Sequence, residues 1–376
     1  MKKLGFGLMR LPLLDPNDEA SIDLELTKKM VDTFIERGYT YFDTALMYCG
    51  ENSENMIKPA LVDRYPRDAY TLATKLHVMY LRSMEDRDRI FNEQRQRTGV
   101  EFFDYYLIHG VSNRNYNAYK RYDCFNWIRE KKQQGLVKTM GFSFHGDPEL
   151  LDRVFTEQPD MEFVQLQINY LDWENQFIQS KACYDVAVKH GKKVFVMEPV
   201  KGGTLARIPA EAEEIFKAYA PDRTNASWAL RFVASLENVQ VVLSGMSNME
   251  QIEDNLNTFD NEAPLSDEER ECIAKVGEII RNNTAVPCTG CAYCVDGCPM
   301  NIPIPRYFSL YNDEKREVDG KGWTPNVDNY FVIAKLGGKA SACVECGQCE
   351  SVCPQHLPII DYLKDVAKFF EESPFA

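Results

Sequence analysis

Residues 26–45, "LTKKMVDTFIERGYTYFDTA", hold two rhythms in succession. Up to Gly38, the apolar residues Leu26, Met30, Val31 and Phe34 recur at three- and four-residue spacing, which places them on one face of a helix that a glycine ends. Beyond it, residues 39–45 are rich in aromatic and β-branched types and read as a strand. The same alternation extends outward in both directions. Further β-rich runs stand at 3–9, 69–75, 104–110, 138–144, 163–169, 193–199 and 239–245, and helix-like segments at 122–135, 181–191 and 226–236 lie between them. Eight β and α units within about 260 residues predict a closed (β/α)8 barrel of the TIM type, because an open doubly wound sheet seldom supplies so many even repeats. No glycine-rich dinucleotide fingerprint follows the first strand, which also argues against a Rossmann fold.

The cysteines speak for a second domain. Of twelve, eight fall in two runs, "CTGCAYCVDGCP" at 288–299 and "CVECGQCESVCP" at 343–354. Cys288, Cys291, Cys294 and Cys298 are separated by two, two and three residues, with a proline after the last, and Cys343, Cys346, Cys349 and Cys353 repeat the pattern. This is the spacing of bacterial two-cluster ferredoxins, and it predicts two [4Fe-4S] clusters. A pair of zinc knuckles is the alternative, but tetrahedral zinc leaves the third cysteine of each tight run and the terminal proline without a role. In the cluster reading the fourth cysteine of each run serves the other cluster. One set is then Cys288, Cys291, Cys294 and Cys353, and the other is Cys343, Cys346, Cys349 and Cys298. Cys124, Cys183 and Cys272 lie in helix-like segments and read as packing residues, as does Cys49.

The alternation stops after residue 264. Residues 266–283 read as a linking helix opened by Ser266 and Glu269, and helices are expected at 306–318 and 358–370. The predicted organisation is a barrel over 1–264, a linking helix over 265–283, and a small, mainly helical ferredoxin-like domain over 284–376.

Composition narrows the partners. With 43 basic against 57 acidic side chains the net charge is −14, so no electrostatic footprint for nucleic acid is present. The opening "MKKLGFGLMRLPLL" is interrupted by glycines, Arg10 and Pro12 and lacks a small-residue cleavage site, so it reads as a strand and not as a signal peptide. No stretch has the roughly 18–20 apolar residues of a membrane span. A cytoplasmic protein with reduced thiols is expected.

In such a barrel the carboxyl ends of the strands carry the chemistry. Strand two ends in Asp43 with Tyr48 in its loop, strand three ends in Lys75, and strand four ends near His109. Together with the stretches "GFGLMRL", "YFDTALMY", "ATK" and "LIHG", this set resembles the aldo-keto reductases, in the subgroup that carries a C-terminal pair of ferredoxin-type clusters. The resemblance covers roughly residues 4–260. It implies a catalytic tetrad of Asp43, Tyr48, Lys75 and His109, in which Tyr48 is the proton donor. Lys75 would ease proton release from the phenol, Asp43 would hold Lys75, and His109 would orient the carbonyl. It also implies hydride transfer between NADH or NADPH and a small carbonyl or alcohol substrate.

The cofactor contacts follow from the same resemblance. Ser143 and Gln167 match the residues expected at the carboxamide, although Phe144 stands where the family has an asparagine. Met197 replaces a stacking aromatic, Lys201, Gly202 and Gly203 face the pyrophosphate, and Asp254 and Asn255 face the adenine end. No Lys or Arg lies between Ser244 and Asn255, which tilts the expectation toward NADH. The clusters are expected to serve an external one-electron donor or acceptor protein. A different reading makes the chain an electron-transfer module of a larger redox assembly, with the barrel as a docking scaffold.

Overall fold

The structure is a computed structural model that describes residues 2–15, 18–175, 178–261, 263–316, 325–335 and 337–372. By its contacts the chain divides into two units. The first comprises Met1–Asn175, Gln179–Val200 and Ala226–Ser266, and the second takes in Lys201–Asn225 and Asp267–Ala376.

In the first unit all eight expected strands are present: β1 (Leu4–Gly7), β2 (Tyr41–Asp43), β3 (Thr71–Leu76), β4 (Phe103–Val111), β5 (Val137–Phe144), β6 (Phe163–Gln167), β7 (Lys193–Met197) and β8 (Val239–Gly245). They pair in parallel in chain order, and β1 closes on β8 with Leu4 opposite Val242 and Gly7 opposite Gly245. Each strand sends alternate side chains inward, so two residues along a strand is one step up the barrel interior. The lower interior is a single buried cluster of Tyr41, Ala73, Leu107, Phe163, Phe195, Val241 and Leu243 with Tyr105 against it. Phe163 and Phe195 stack at 4.3 Å, and Tyr41 and Tyr105 meet edge-on at 5.1 Å. Aromatics of this size leave no room on neighbouring strands: a Cβ at Gly141 would stand 2.5 Å from the Phe163 ring.

Outside the barrel, the apolar face of helix Leu24–Glu36 behaves as its spacing requires. Phe34 is fully buried and meets Phe6 at 5.6 Å and Phe42 at 5.3 Å. Burying such a side chain contributes roughly 2–3 kcal/mol. Asp23 caps the helix by accepting from the Leu26 N–H at 3.0 Å.

The second unit is mainly helical. Helix Asp267–Asn282 packs on helix Ala210–Tyr219, and among the described residues further helices follow at Ile304–Arg316, Pro325–Ala334, Gln348–Val352 and Ile359–Phe370. The last two residues of the helix expected at 306–318 lie outside the described residues. The core gathers Tyr307, Phe308, Tyr330, Leu363, Val366 and Phe370, and Tyr330 stacks on Phe370 at 4.9 Å. The two cysteine runs repeat in backbone as well as in sequence. Gly290 and Glu345, Ala292 and Gly347, and Asn301 and His356 occupy matching positions, and all six have φ between 51° and 74°. These left-handed turns curl each loop, and the Gly290 N–H reaches Cys288 Sγ at 3.4 Å. Among the described residues, no helix is long and apolar enough to cross a membrane.

Candidate active site and cluster sites

The alternation that fills the lower barrel with aromatics also builds the site above it. Two residues beyond Tyr41, Ala73, Leu107 and Gly141 stand Asp43, Lys75, His109 and Ser143, so the inward parity carries each polar residue to the carboxyl rim. Lys75 is buried, and its Nζ donates to Asp43 Oδ1 at 2.5 Å, to the Thr44 carbonyl at 2.8 Å and to Tyr48 Oη at 3.2 Å. The ammonium thus spends its three N–H groups on three acceptors. Because Lys75 donates to Tyr48, the phenol's own O–H is left to point elsewhere. His109 stands edge-on to the Tyr48 ring at 6.1 Å and to His77 at 5.4 Å. Its backbone carbonyl accepts from the Tyr119 hydroxyl.

The electrostatics of this group differ in one respect from the expectation. Burial dominates at Tyr48, and the negative charges of Asp43 and Glu198 add to it, so the phenol lies well above its ordinary value. Tyr48 therefore holds its proton firmly in the free protein. Burial likewise raises Asp43 and lowers Lys75, each opposed by the other's charge. At His109 burial comes first, followed by Lys75, and the ring is held well below the usual imidazole range. It is a neutral hydrogen-bonding group at neutral pH.

Behind Lys75 lies a layer that the sequence does not advertise. Glu54 is fully buried, accepts from Thr74 Oγ1 at 2.6 Å and from Gln94 Nε2 at 2.8 Å, and burial pushes its carboxyl up to about 7. Gln94 also donates to the Lys75 carbonyl at 2.9 Å and accepts from the Tyr106 hydroxyl at 2.7 Å. A second clasp forms after β6. Asn169 Oδ1 accepts from the Leu171 and Asp172 N–H groups, and its Nδ2 donates to Asp172 Oδ2 at 2.9 Å and to the Glu198 carbonyl at 3.2 Å. The "NYLD" stretch is an Asx-turn signature that points to this clasp. Nothing comparable announces Glu54, whose role depends on burial alone.

The expected cofactor residues fall into two groups. Ser143 Oγ accepts from the Gly110 N–H at 2.6 Å, Gln167 Nε2 donates to Asp172 Oδ2 at 3.0 Å, and half-buried Met197 ends β7. Phe144 has the opposite parity and packs on the helix side of the sheet, edge-on to Phe142. Asn255 donates to Ser244 Oγ at 2.9 Å, one residue past half-exposed Asp254 in helix Met249–Asp260. Lys201 and Gly202 are placed differently. Lys201 is 2% exposed with Nζ 3.1 Å from Gln355 Oε1, and a Cβ on Gly202 would stand 2.2 Å from the Thr289 carbonyl oxygen. The surroundings of both residues belong to the second unit; Gly202 is itself exposed, as is Gly203, which has φ 99°.

The eight clustered cysteines line two small cavities, each partly open to solvent. Cys288, Cys291, Cys294 and Cys353 line the first; Cys298, Cys343, Cys346 and Cys349 line the second; Ile304 forms a wall of both. Each thus draws three cysteines from one run and the fourth from the other. Four cysteines shared in this way between two tight runs suit a pair of iron–sulfur cubes, which use the fourth cysteine of each run at the other cluster. The remaining cysteines, Cys49, Cys124 and Cys183, are buried, and Cys272 is intermediate.

Residues 3–278 match the model of the Aldo/keto reductase family. The chain belongs to that family. The aldo/keto reductase barrel is joined to a second matched region, a 4Fe-4S dicluster domain over residues 287–357. An aldo-keto reductase of Mycolicibacterium vanbaalenii is 28% identical over 229 residues, which cover 61% of this chain and 76% of that protein. A short stretch of 75 residues is 31% identical to one subunit of an ion-translocating oxidoreductase complex from Buchnera aphidicola, covering 20% of this chain and 12% of that protein. Among solved structures, an aldo-keto reductase from Klebsiella pneumoniae in complex with NADPH aligns with a TM-score of 0.58 at 17% identity, over 73% of this chain and 90% of that one. The fold is therefore that of the reductases.

Proposed function

We propose that this aldo/keto reductase transfers hydride between a nicotinamide cofactor and a small carbonyl or alcohol substrate, and that two [4Fe-4S] clusters exchange single electrons with an external protein. The observation that carries the first part is the contact of Lys75 with both Asp43 and Tyr48. A bound nicotinamide would supply the hydride. In the reduction direction Tyr48 donates its proton to the oxygen on which negative charge develops, and Lys75, already hydrogen-bonded to Tyr48 Oη, stabilises the phenolate left behind. Lys75 therefore acts in the transition state, while burial keeps the phenol protonated before it. Asp43 holds the ammonium in place, and neutral His109 orients the carbonyl. Ser143, Gln167 and Met197 would line the nicotinamide, and Asp254 and Asn255 the adenine end. NADH is favoured over NADPH because helix Met249–Asp260 contains no Lys or Arg. In the second unit the eight cysteines would hold the clusters, three from one run and one from the other in each. A cytoplasmic setting suits the reduced thiols.

The test is Tyr48→Phe. Carbonyl reduction should fall by about two to four orders of magnitude, the usual contribution of a positioned acid. Cofactor affinity, measured by nicotinamide fluorescence on anaerobic protein, should hardly change. Near-normal turnover by the variant would remove the tetrad from the mechanism.

A further inference from the structure

Family resemblance sends the segment after β7 to the pyrophosphate, yet its buried lysine sits against the wall of the first cysteine cavity. Lys201 Nζ donates to Gln355 Oε1 at 3.1 Å, and Gln355 lines that cavity beside Cys353. The next residue, though exposed, abuts the other cysteine loop. Gly202 adopts φ 63°, and a Cβ there would stand 2.2 Å from the carbonyl oxygen of Thr289, which lines the same cavity beside Cys288. Lys201 and Gly202 thus rest on both cysteine loops that form one site. The second cavity has different walls: Cys346, Val344 and Met300 line it and are exposed to solvent.

We propose that Lys201 is the electrostatic partner of the first cluster and holds its reduction potential above that of the second, so that an electron taken up at the exposed second site comes to rest at the first. The inference rests on the cluster reading given above. Reduction adds one negative charge to a cluster, and potentials follow net charge, hydrogen bonding and solvent exposure. A buried ammonium one side chain away from the first cavity favours the reduced form there, in surroundings that screen it less than water does. One electron from an external one-electron protein donor would reduce the second cluster, and that cluster would be reoxidised as the electron passed to the first, with no proton or bond change. Lys201 sets the direction and does not itself react.

The experiment is a potentiometric titration of the anaerobic full-length protein with dithionite, followed by electron paramagnetic resonance, on the wild type and on Lys201→Gln. Iron and sulfide are measured first. Protein without two clusters would overturn both the cluster reading and this inference. With both clusters present, Lys201→Gln should lower the higher of the two potentials by roughly tenfold in the one-electron equilibrium, about 59 mV. The lower potential should move much less. Lys201→Arg, which keeps the charge, should restore the wild-type value. If Lys201→Gln fails to retain both clusters, Lys201→Met provides the same comparison. Gly202→Ala should perturb the signal of the same cluster by displacing the Thr289 carbonyl. Potentials that stay put in Lys201→Gln, or that shift together, would overturn the inference. Weakened NADPH binding with unmoved potentials would return Lys201 to the pyrophosphate.

Discussion

At the scale of single residues, Glu54 is a group whose charge the barrel accommodates poorly. It is fully buried, and its Oε2 has no hydrogen-bond partner among the described residues. Its carboxyl rises from about 4.5 to about 7 on folding. The folded state therefore binds a proton that the unfolded chain has already released. The stabilisation from that proton is complete below about pH 4.5 and is lost as the pH rises through about 7. The span corresponds to roughly 3 kcal/mol. Glu54→Gln keeps the hydrogen-bonding shape without the charge. In anaerobic denaturant titrations it should gain stability relative to wild type between pH 5 and pH 8, and an unchanged difference at the two pH values would contradict the assignment. The grouping of Asp43, Lys75 and His109 at one rim is legible in the sequence, because these residues continue an inward parity that the strands make visible. Glu54 is not, since a polar residue at a short helix shows no sign of burial until Thr74, Gln94 and Tyr106 close over it.

Elements repeat this contrast. The eight strands and the cysteine loops are legible because period-two alternation and fixed cysteine spacing are properties of the chain alone. Helix Pro325–Ala334 escapes a reading of the sequence: Asn, Asp and β-branched residues give it little intrinsic preference, and it is Tyr330, packed between Tyr307 and Phe370, that ties it to the core. The segment Lys201–Asn225 reads as part of the barrel because connectivity, not contact, is what a sequence displays. The repeated cysteine loops carry a prediction of their own. Ala292 has φ 63° where its counterpart is Gly347 at φ 74°. A left-handed alanine costs about 1–2 kcal/mol, and the greater freedom of glycine in the unfolded chain offsets about half of that. Ala292→Gly should therefore stabilise the cluster domain by about 0.5–1 kcal/mol, read as slower loss of the cluster absorbance in denaturant. A destabilised variant would show that the Ala292 methyl makes contacts worth more than the turn.

The whole molecule joins an aldo/keto reductase barrel to a 4Fe-4S dicluster domain, and the two cavities are the part whose proposed wiring can be tested directly. Their cysteines interleave, so damage at one end of the chain should appear in the cluster built mainly from the other run. Cys353→Ala should chiefly impair the cluster associated with Cys288, Cys291 and Cys294, measured as selective loss of one resonance signal with the other retained. Loss of the other signal would reassign the ligands. The same interleaving bears on biogenesis. During synthesis Cys288, Cys291 and Cys294 leave the ribosome well before Cys353, and by then every strand of the barrel has already emerged. With the proposed ligands, neither cluster would be completed from its own run, so maturation would wait for both runs together. On that ligation metallation would follow the emergence of both runs, after every strand of the barrel, and partially loaded chains should be scarce among newly made molecules.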